Sequence, residues 1–272
     1  MSTVDSGGVH IHHELHGPED GPPVVLLHGF PDTGRMWRHQ VTALADAGYR
    51  VVVPDQRGFG RSDKPTEVEA YNVLSLAGDV LAILDHHGIA RTRLVGLDRG
   101  ASVAWALAAF SGDRIERLAA LSVGHPTAFG SVGIAQREKS WYMLLFQFPG
   151  VAERWLSDDG WAHFREWSGH PDADGVIADL EADGSLTSGL NWYRANVAPE
   201  TLLGPPPELP PIQVPVMGVW SSADMALTEQ QMTGSAQYCE GGFRYERLED
   251  VGHWMALEAP EAVNRLLLDF LG

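Results

Sequence analysis

Cysteine, basic residues and long apolar runs are scarce in this chain of 272 residues. Cys239 is the only cysteine, so no intrachain disulfide can form, which suits a reducing compartment. The 36 acidic residues outnumber the 19 lysines and arginines, and the net charge of −17 disfavours contact with the phosphates of nucleic acids or anionic lipids. No apolar run approaches the roughly 20 residues that span a bilayer, and the first residues, MSTVDSGG, lack the apolar core of a signal peptide. We therefore expect a cytoplasmic protein with no nucleic-acid and no membrane partner, and the sequence leaves a homodimer open.

The pattern of apolar runs predicts an α/β fold. The apolar content of 44% and the length suit one large globular domain, with or without an insertion. Helical patterns cover residues 36–48, 74–88 and 101–110, and they separate the first four predicted strands. The predicted strands, each a short apolar run bounded by Gly or Pro, are 24–27, 50–54, 93–97, 118–123, 214–220 and 243–248. Strands that alternate with helices indicate a mostly parallel central sheet flanked by helices.

The alternation stops between about Pro126 and Pro211, where no strand pattern is found. Aromatic-rich amphipathic segments occupy this region instead, at 136–148, 161–167 and 186–197. The proline-rich stretch 199–215 then leads back to a strand, and its prolines predict an extended path without helix. We therefore predict a sheet domain, residues 1–127 and 208–272, into which a helical cap, residues 128–207, is inserted.

The stretch GLDRG, residues 96–100, predicts a tight turn from a strand into a helix, with Asp98 at its centre. Gly96 and Gly100 permit a backbone tight enough to lift the central side chain above the sheet. The N-terminus of the following helix favours a negative charge there. On its own the pattern also fits an ordinary turn or helix-capping aspartate, so a catalytic role for Asp98 requires suitable partner residues elsewhere in the chain.

Those partners follow in the order nucleophile, acid, histidine, which is the chain order of α/β-hydrolase triads. Asp224 lies in the loop after the strand 214–220, and His253 lies between the strand 243–248 and the last helix. Upstream, the segment LLHGFPDTG takes the place of the loop that donates a backbone N–H to an oxyanion hole. The predicted donors are the amides of Phe30 and of Arg99, the residue directly after the nucleophile.

The whole chain resembles the α/β-hydrolase family, and specifically its epoxide hydrolase branch. The matching stretches are HGFP (28–31), PDQRGFGRSDKP (54–65), GLDRGA (96–101), WYMLLFQFPGVAE (141–153), LNWYR (190–194) and GHW (252–254), together with Asp224. The resemblance implies that Asp98 is the nucleophile and that Tyr142 and Tyr193, from the cap, bind the epoxide oxygen. Trp141 and Trp192 beside them, and His125 at the end of a strand, are further candidates for substrate contact, although His125 also fits a loop or core role.

A carboxylate nucleophile explains why aspartate stands where many hydrolases have serine. A serine that attacked a saturated carbon would leave an ether, whereas Asp98 would leave an ester that water can hydrolyse. His253, oriented by Asp224, would activate that water. Tyr142 and Tyr193 would stabilise the leaving alkoxide by hydrogen bonds. The expected reaction is the hydrolysis of a small apolar or aromatic epoxide to a vicinal diol, with no cofactor and no metal.

Other functions on the same fold stay open. Arg99 stands where epoxide hydrolases usually have Trp, and the resulting DRG resembles fluoroacetate dehalogenases, so a haloalkane or haloacid dehalogenase would use the same nucleophile. Fluoroacetate dehalogenases add a second Arg, where this chain has Ser102, and a His-Trp pair, where this chain has Trp141-Tyr142. Both of these dehalogenase features are therefore missing from this chain. Arg99 suits either an anionic or polar substrate group or an ion pair with a nearby acid. A non-catalytic ligand receptor is disfavoured by the complete catalytic set, and an ester hydrolase by Asp in place of Ser.

The four histidines of HIHHELH, residues 10–16, invite a metal hypothesis. Along a strand, however, His10 and His12 would share one face and His13 the other, which disfavours a single compact site. Cys239 lies far along the chain from the predicted triad, and we expect it to be inert.

Overall fold

The computed structural model describes residues 2–272, apart from the side chains of Thr201 and Leu203, and contains one eight-stranded sheet. The strands are β1 (Ser2–Ser6), β2 (Val9–His16), β3 (Pro23–Leu27), β4 (Arg50–Pro54), β5 (Thr92–Leu97), β6 (Ile115–Leu121), β7 (Val216–Ser221) and β8 (Phe243–Leu248). Their order across the sheet is β1-β2-β4-β3-β5-β6-β7-β8. β2 pairs antiparallel with β1 and β4, and the other neighbours pair parallel. The predicted α/β fold with a mostly parallel sheet is confirmed, and β1 and β2 extend it at one edge.

Thirteen α-helices are present among the described residues, and α1 to α3 match the three helical patterns predicted for the first half of the chain. The helices are α1 (Arg38–Asp46), α2 (Val73–His86), α3 (Arg99–Phe110), α4 (Pro126–Ser131), α5 (Ile134–Lys139), α6 (Tyr142–Leu145), α7 (Val151–Ser168), α8 (Ala173–Asp183), α9 (Ser185–Asn196), α10 (Pro199–Leu203), α11 (Glu229–Thr233), α12 (Met255–Glu258) and α13 (Pro260–Leu271). Within residues 2–272, none of these helices is long and apolar enough to cross a membrane.

The sheet is buried on both faces, which explains why its strands are continuously apolar. In β3, Val24 and Leu26 pack into a cluster with residues of α1 and α13, whereas Val25 and Leu27 pack into a second cluster with residues of α2 and α3. All four side chains are fully buried. Each such side chain stabilises the fold by about 1.5–3 kcal/mol, so the two clusters hold the strand ends in fixed positions.

Between β6 and β7, the described residues form the helices α4 to α10 and no strand. α7 is interrupted at residues 158–161, where the backbone leaves the helical conformation, so it consists of two helices joined by a kink. This helical layer lies where the cap was predicted, but α4 already begins at Pro126. The limits 128 and 207 therefore stay a prediction.

The expectation that prolines exclude helix from residues 199–215 is wrong at its N-terminal end. α10 begins at Pro199 and ends at Leu203. Proline suits the first position of a helix because the N–H that it lacks would have no intrahelical partner there. The later prolines do follow a path without helix until β7 begins at Val216.

Candidate active site

The turn between β5 and α3 presents Asp98 above the sheet. Asp98 has φ 54° and ψ −129°, a conformation that costs a non-glycine residue about 1–3 kcal/mol. Close backbone contacts explain the flanking glycines: a Cβ at Gly96 would collide with the carbonyl oxygen of Gly100, and a Cβ at Gly100 with that of Leu27. The turn is therefore strained and closely packed, and it holds the carboxylate in one place.

The two oxygens of Asp98 have different partners. The N–H of Phe30, in the loop after β3, donates to Oδ2 at 2.9 Å. Oδ1 lies 3.7 Å from Nε2 of His253. The carboxylate is almost fully buried, so one oxygen is anchored by a backbone donor and the other faces the imidazole.

Asp224 follows β7 and His253 follows β8, so the carboxyl ends of neighbouring parallel strands bring them together. Nδ1 of His253 lies 3.2 Å from Oδ1 and 3.1 Å from Oδ2 of Asp224. The N–H groups of Ala226 and Leu227 donate to Oδ1 of Asp224 at 2.8 and 3.0 Å. The acid is thus held by its own loop while it orients the imidazole.

At the carboxyl end of the sheet, the charges of Asp98 and Asp224 shift the pKa of His253, and His253 in turn shifts the pKa of Asp224. Burial lowers the pKa of an imidazole, but the charge and hydrogen bond of Asp224 and the charge of Asp98 outweigh it and raise the pKa of His253 to about 9. Burial raises the pKa of a carboxyl, yet His253 and the hydrogen bonds from Ser122 and Ala226 hold the pKa of Asp224 below its usual value. At neutral pH the resting site therefore contains an imidazolium between two carboxylates.

Tyr142 of α6 and Tyr193 of α9 approach this site from the helical layer between β6 and β7, with ring centroids 6.2 Å apart. Both rings are buried. Neither phenol oxygen has a hydrogen-bond partner within residues 2–272. Burial first, and then the charge of Asp98, raises the pKa of both phenols well above 10. Two neutral donors are therefore available to a ligand.

A cavity of about 390 Å³ lies between the carboxylate of Asp98 and the two phenols. Asp98, Tyr142 and Tyr193 are part of its wall, which is otherwise largely apolar. Leu74 and Phe110 belong to the same wall and are each 56% exposed, so they mark its mouth. The cavity suits an apolar ligand that reaches the carboxylate with one end.

Comparison with known proteins identifies the family of this chain. A family model described as the alpha/beta hydrolase fold matches residues 22–260. Epoxide hydrolase A of Mycobacterium tuberculosis is 34% identical over 318 residues, which cover 98% of this chain and 96% of the relative. The chain belongs to the α/β-hydrolase family, in its epoxide hydrolase branch. A second relative, the AB hydrolase superfamily protein YfhM of Bacillus subtilis, is 32% identical over 281 residues, covering 98% of this chain and 96% of its own length.

Solved structures place the fold in the same branch of the α/β-hydrolase family. A structure reported among novel epoxide hydrolases from metagenomes of hot environments has a TM-score of 0.89 and 31% identity, and the match covers 100% of this chain and 98% of that one. Epoxide hydrolase A of Mycobacterium thermoresistibile has a TM-score of 0.82 and 32% identity, covering 99% of this chain and 97% of that one. The epoxide hydrolase of Bacillus megaterium in complex with an inhibitor has a TM-score of 0.89 and 26% identity, covering 99% of each chain.

Arg99 is the departure from the usual epoxide hydrolase pattern, and its guanidinium has no carboxylate partner among residues 2–272. One nitrogen donates to the carbonyl oxygen of Gly189 in α9 at 3.1 Å, and the guanidinium carbon lies 4.1 Å from the ring centroid of Phe59. Burial lowers the pKa of Arg99 to about 10, although Tyr193 and Asp98 oppose this. Of the two alternatives for Arg99, the ion pair with a nearby acid is therefore wrong, and contact with an anionic or polar substrate group stays a prediction. Instead, Arg99 links α9, the helix that carries Tyr193, to the turn that carries Asp98. An oxyanion role for the Arg99 amide stays a prediction.

Of the three residues expected to contact substrate, only Trp192 lies in the cavity wall. Trp141 is 47% exposed, and its ring packs edge-on against Trp155, at 5.8 Å between centroids. The assignment of Trp141 was wrong because neighbouring residues on a helical turn point in different directions, and Tyr142 takes the inward one.

His125 also lies outside the cavity wall, so its assignment to substrate contact is corrected as well. Its ring stacks on Tyr238 at 4.5 Å and meets Trp105 edge-on at 5.3 Å. Its Nδ1 accepts from the N–H of Thr127, at the start of α4. Burial lowers the pKa of His125 to about 4, so the ring is a neutral packing and capping group.

Sequence reasoning missed Ser122, which directly follows β6. Its Oγ donates to Oδ2 of Asp224 at 2.7 Å and lies 3.0 Å from Nδ1 of His253. A signal was present, since Ser122 stands at the carboxyl end of a predicted parallel strand. Serine is too common in loops, however, for that position alone to identify it.

The N-terminal histidines form no shared site. His10 contacts Asp63 at 2.9 Å, His12 contacts Asp55 at 3.2 Å, and His13 contacts His87 at 2.6 Å. In the part of the chain that the structure describes, no group of three or more His, Cys, Asp or Glu side chains is arranged to hold a metal ion.

Proposed function

We propose that this protein is an epoxide hydrolase that converts an epoxide into a vicinal diol through a covalent ester on Asp98. The proposal depends on the unequal environment of the two carboxylate oxygens. Oδ2 accepts the N–H of Phe30 at 2.9 Å, so it already occupies the place where an ester carbonyl oxygen would be stabilised. Oδ1 is then the oxygen that attacks carbon, and a carboxylate needs no base to activate it.

In the first step, Oδ1 of Asp98 bonds to one carbon of the three-membered ring while the bond from that carbon to the ring oxygen breaks. The electron pair stays on the oxygen, which develops alkoxide charge. Tyr142 and Tyr193 donate hydrogen bonds to it, and one phenol gives up its proton. Their unpartnered hydroxyls and raised pKa values make them neutral donors that no protein acceptor occupies.

Ester formation removes the charge of Asp98, so His253 releases its second proton to solvent and regains it after turnover. In the second step, the neutral imidazole takes a proton from water, and the resulting hydroxide attacks the carboxyl carbon of Asp98. The amides of Phe30 and Arg99 stabilise the oxyanion on Oδ2. The bond from the carboxyl carbon to Oδ1 breaks, and His253 returns its proton to the departing diol. The second proton of the water restores the phenol through solvent. One oxygen of Asp98 is thereby exchanged for an oxygen of water.

The cavity supports an apolar or aromatic epoxide as the substrate class. Val73, Phe110, Phe129, Met143 and Trp192 contribute apolar surface to its wall. Every step above uses a carboxylate, an imidazole, phenols and backbone amides of this chain, so we propose a reaction without a cofactor. We also propose that residues 128–207 act as a cap over the core and that the enzyme is cytoplasmic.

Single-turnover hydrolysis of styrene oxide in H₂¹⁸O, with enzyme in excess, tests the ester route. The expected result is ¹⁸O in Asp98 and little label in the first diol formed. Direct attack of water on the epoxide would place the label in the diol and would overturn the proposal.

The His253→Gln variant provides a second test, because it should form the ester and fail to hydrolyse it. Intact-protein mass spectrometry should then show the mass of the epoxide added to the variant. Halide release from haloalkanes and haloacids, assayed in parallel with diol formation, distinguishes a dehalogenase. Halide release without diol formation would contradict epoxide hydrolysis.

A further inference from the structure

Ser122 has a backbone conformation that serine rarely adopts. It directly follows β6, it is fully buried, and its φ is 69°. Glycine adopts this left-handed conformation without the steric cost that a Cβ brings. Serine therefore costs stability at this position, and a contact of its hydroxyl group, which glycine lacks, can offset that cost.

The hydroxyl of Ser122 lies between the acid and the histidine. Its Oγ donates to Oδ2 of Asp224 at 2.7 Å, which uses its only proton. The same oxygen lies 3.0 Å from Nδ1 of His253, and it can therefore only accept there. When His253 is neutral, its one ring proton is thus placed on Nδ1, and the lone pair of Nε2 faces Asp98.

The surrounding backbone prevents Ser122 from turning away. Its N–H donates to the carbonyl oxygen of Val219 at 2.8 Å, and its own carbonyl oxygen accepts from Nε2 of Gln231 at 2.8 Å. Gln231 is itself buried and accepts from the N–H of Gly124. The hydroxyl is therefore presented to the catalytic pair by a fixed frame.

We infer that Ser122 is a positioning residue for the second step, because it holds Asp224 and the Nδ1–H tautomer of His253 in the geometry needed to activate water. This inference rests on the proposed function. Attack by Asp98 on the epoxide does not require a neutral imidazole, whereas ester hydrolysis does. Loss of the hydroxyl should therefore slow hydrolysis and leave alkylation nearly unchanged.

Ser122→Gly and Ser122→Ala test the inference together. Glycine removes the hydroxyl and relieves the backbone, whereas alanine removes the hydroxyl and keeps the strained φ. In rapid-quench single turnovers followed by intact-protein mass, both variants should form the ester at about the wild-type rate. Both should hydrolyse it about tenfold to a hundredfold more slowly, the range expected for losing a hydrogen bond to a charged group. The ester should accumulate in both.

Asp159→Gly is the matched control, since Asp159 is exposed, lies in α7 away from the site and has φ 52°. It should behave as wild type in both steps. Three results would overturn the inference: equal slowing of both steps, normal hydrolysis in both Ser122 variants, or slow hydrolysis in the alanine variant alone, which would indicate strain. If wild type and His253→Gln form no ester, the proposed function itself fails, and the inference fails with it.

Discussion

The sheet domain, here called the core, and the helices α4 to α10, proposed above as the cap, supply groups to one cavity, but they hold those groups differently. In the core, Asp98 is anchored by the Phe30 amide, and Asp224 and His253 hold each other. In the cap, the hydroxyls of Tyr142 and Tyr193 have no partner within residues 2–272. Charged groups need partners to be buried, whereas two neutral phenols can stay unpaired at lower cost. The difference supports the proposal that the core carries out the covalent chemistry and that the cap binds the leaving oxygen.

Aromatic packing explains how the cap keeps its phenols in place without hydrogen bonds. Tyr142 lies 4.9 Å from Trp167 and 5.4 Å from Phe146, and Tyr193 lies 5.1 Å from Phe146 and 5.8 Å from Phe30, all measured between ring centroids. All four contacts are tilted or edge-on, and edge-to-face packing is a geometry that aromatic pairs prefer. The rings are therefore fixed by shape, and their hydroxyls stay available.

The largest effect is expected on the core side. Asp98→Ala should lower turnover by at least about 10⁴-fold, because removing a nucleophile leaves only binding and the oxyanion donors. Diol formation by purified protein measures it, with Asp63→Ala as a control, since Asp63 is exposed and outside the cavity wall. Circular dichroism should show an intact fold. Diol formation near the wild-type rate would show that the core does not act by covalent chemistry.

On the cap side, Tyr142→Phe and Tyr193→Phe should each lower the alkylation rate about 10²–10³-fold, or about 2.7–4 kcal/mol, the usual effect of one oxyanion donor. Ester hydrolysis should change little, which is the reverse of the effect expected in the Ser122 variants. Single-turnover kinetics separate the two steps. Tyr238→Phe is the control, because Tyr238 packs on His125 outside the cavity wall. If hydrolysis slows as much as alkylation, the division between core and cap is wrong.

Titration of His253 tests the charge balance of the core. NMR of the imidazole should give a pKa of about 9 in the wild type. Asp98→Asn imitates the neutral ester, and it should lower this pKa because it removes a charge that favours the imidazolium. The histidine would thereby become a base only after alkylation. An unchanged pKa in the variant would contradict this sequence of events.

The same pKa predicts a pH-dependent contribution to stability. Because the folded-state pKa lies above the ordinary 6.5, the protonated histidine stabilises the fold fully below about pH 6.5, and the contribution disappears as the pH rises through about 9. Urea unfolding of wild type and His253→Gln at several pH values measures it. A stability difference that does not change between pH 6 and 10 would speak against the raised pKa.

The smallest effect is expected at Trp141. Trp141→Ala should leave kcat/KM within about twofold of wild type, because the side chain lies outside the cavity and surface substitutions usually change little. Trp192→Ala removes part of the cavity wall, and it should raise KM for aromatic epoxides more than the Trp141 change does. Equal effects of the two changes would mean that the substrate extends beyond this cavity.

The order of the segments along the chain was sufficient to predict the fold and the proximity of Asp98, Asp224 and His253, whose catalytic roles stay a proposal. Asp98, Asp224 and His253 each follow a strand, and parallel strands bring their carboxyl ends to one edge of the sheet. The glycines around Asp98 indicated a strained turn for a related reason, since only a residue without a Cβ fits the backbone contacts there. Such features depend on local sequence and on the rules of parallel sheets.

Other properties of the protein were decided by tertiary structure. Adjacent residues Trp141 and Tyr142 face opposite environments because of how α6 packs against α7 and α9, and no local pattern specified which one would face the cavity. Arg99 contacts Gly189, and Ser122 contacts Asp224, across 90 and 102 positions of the chain. The sequence alone determined which chemical groups are present. Which of these groups contact each other depends on long-range contacts, whose geometry arises only when the two sides of the cavity are packed together.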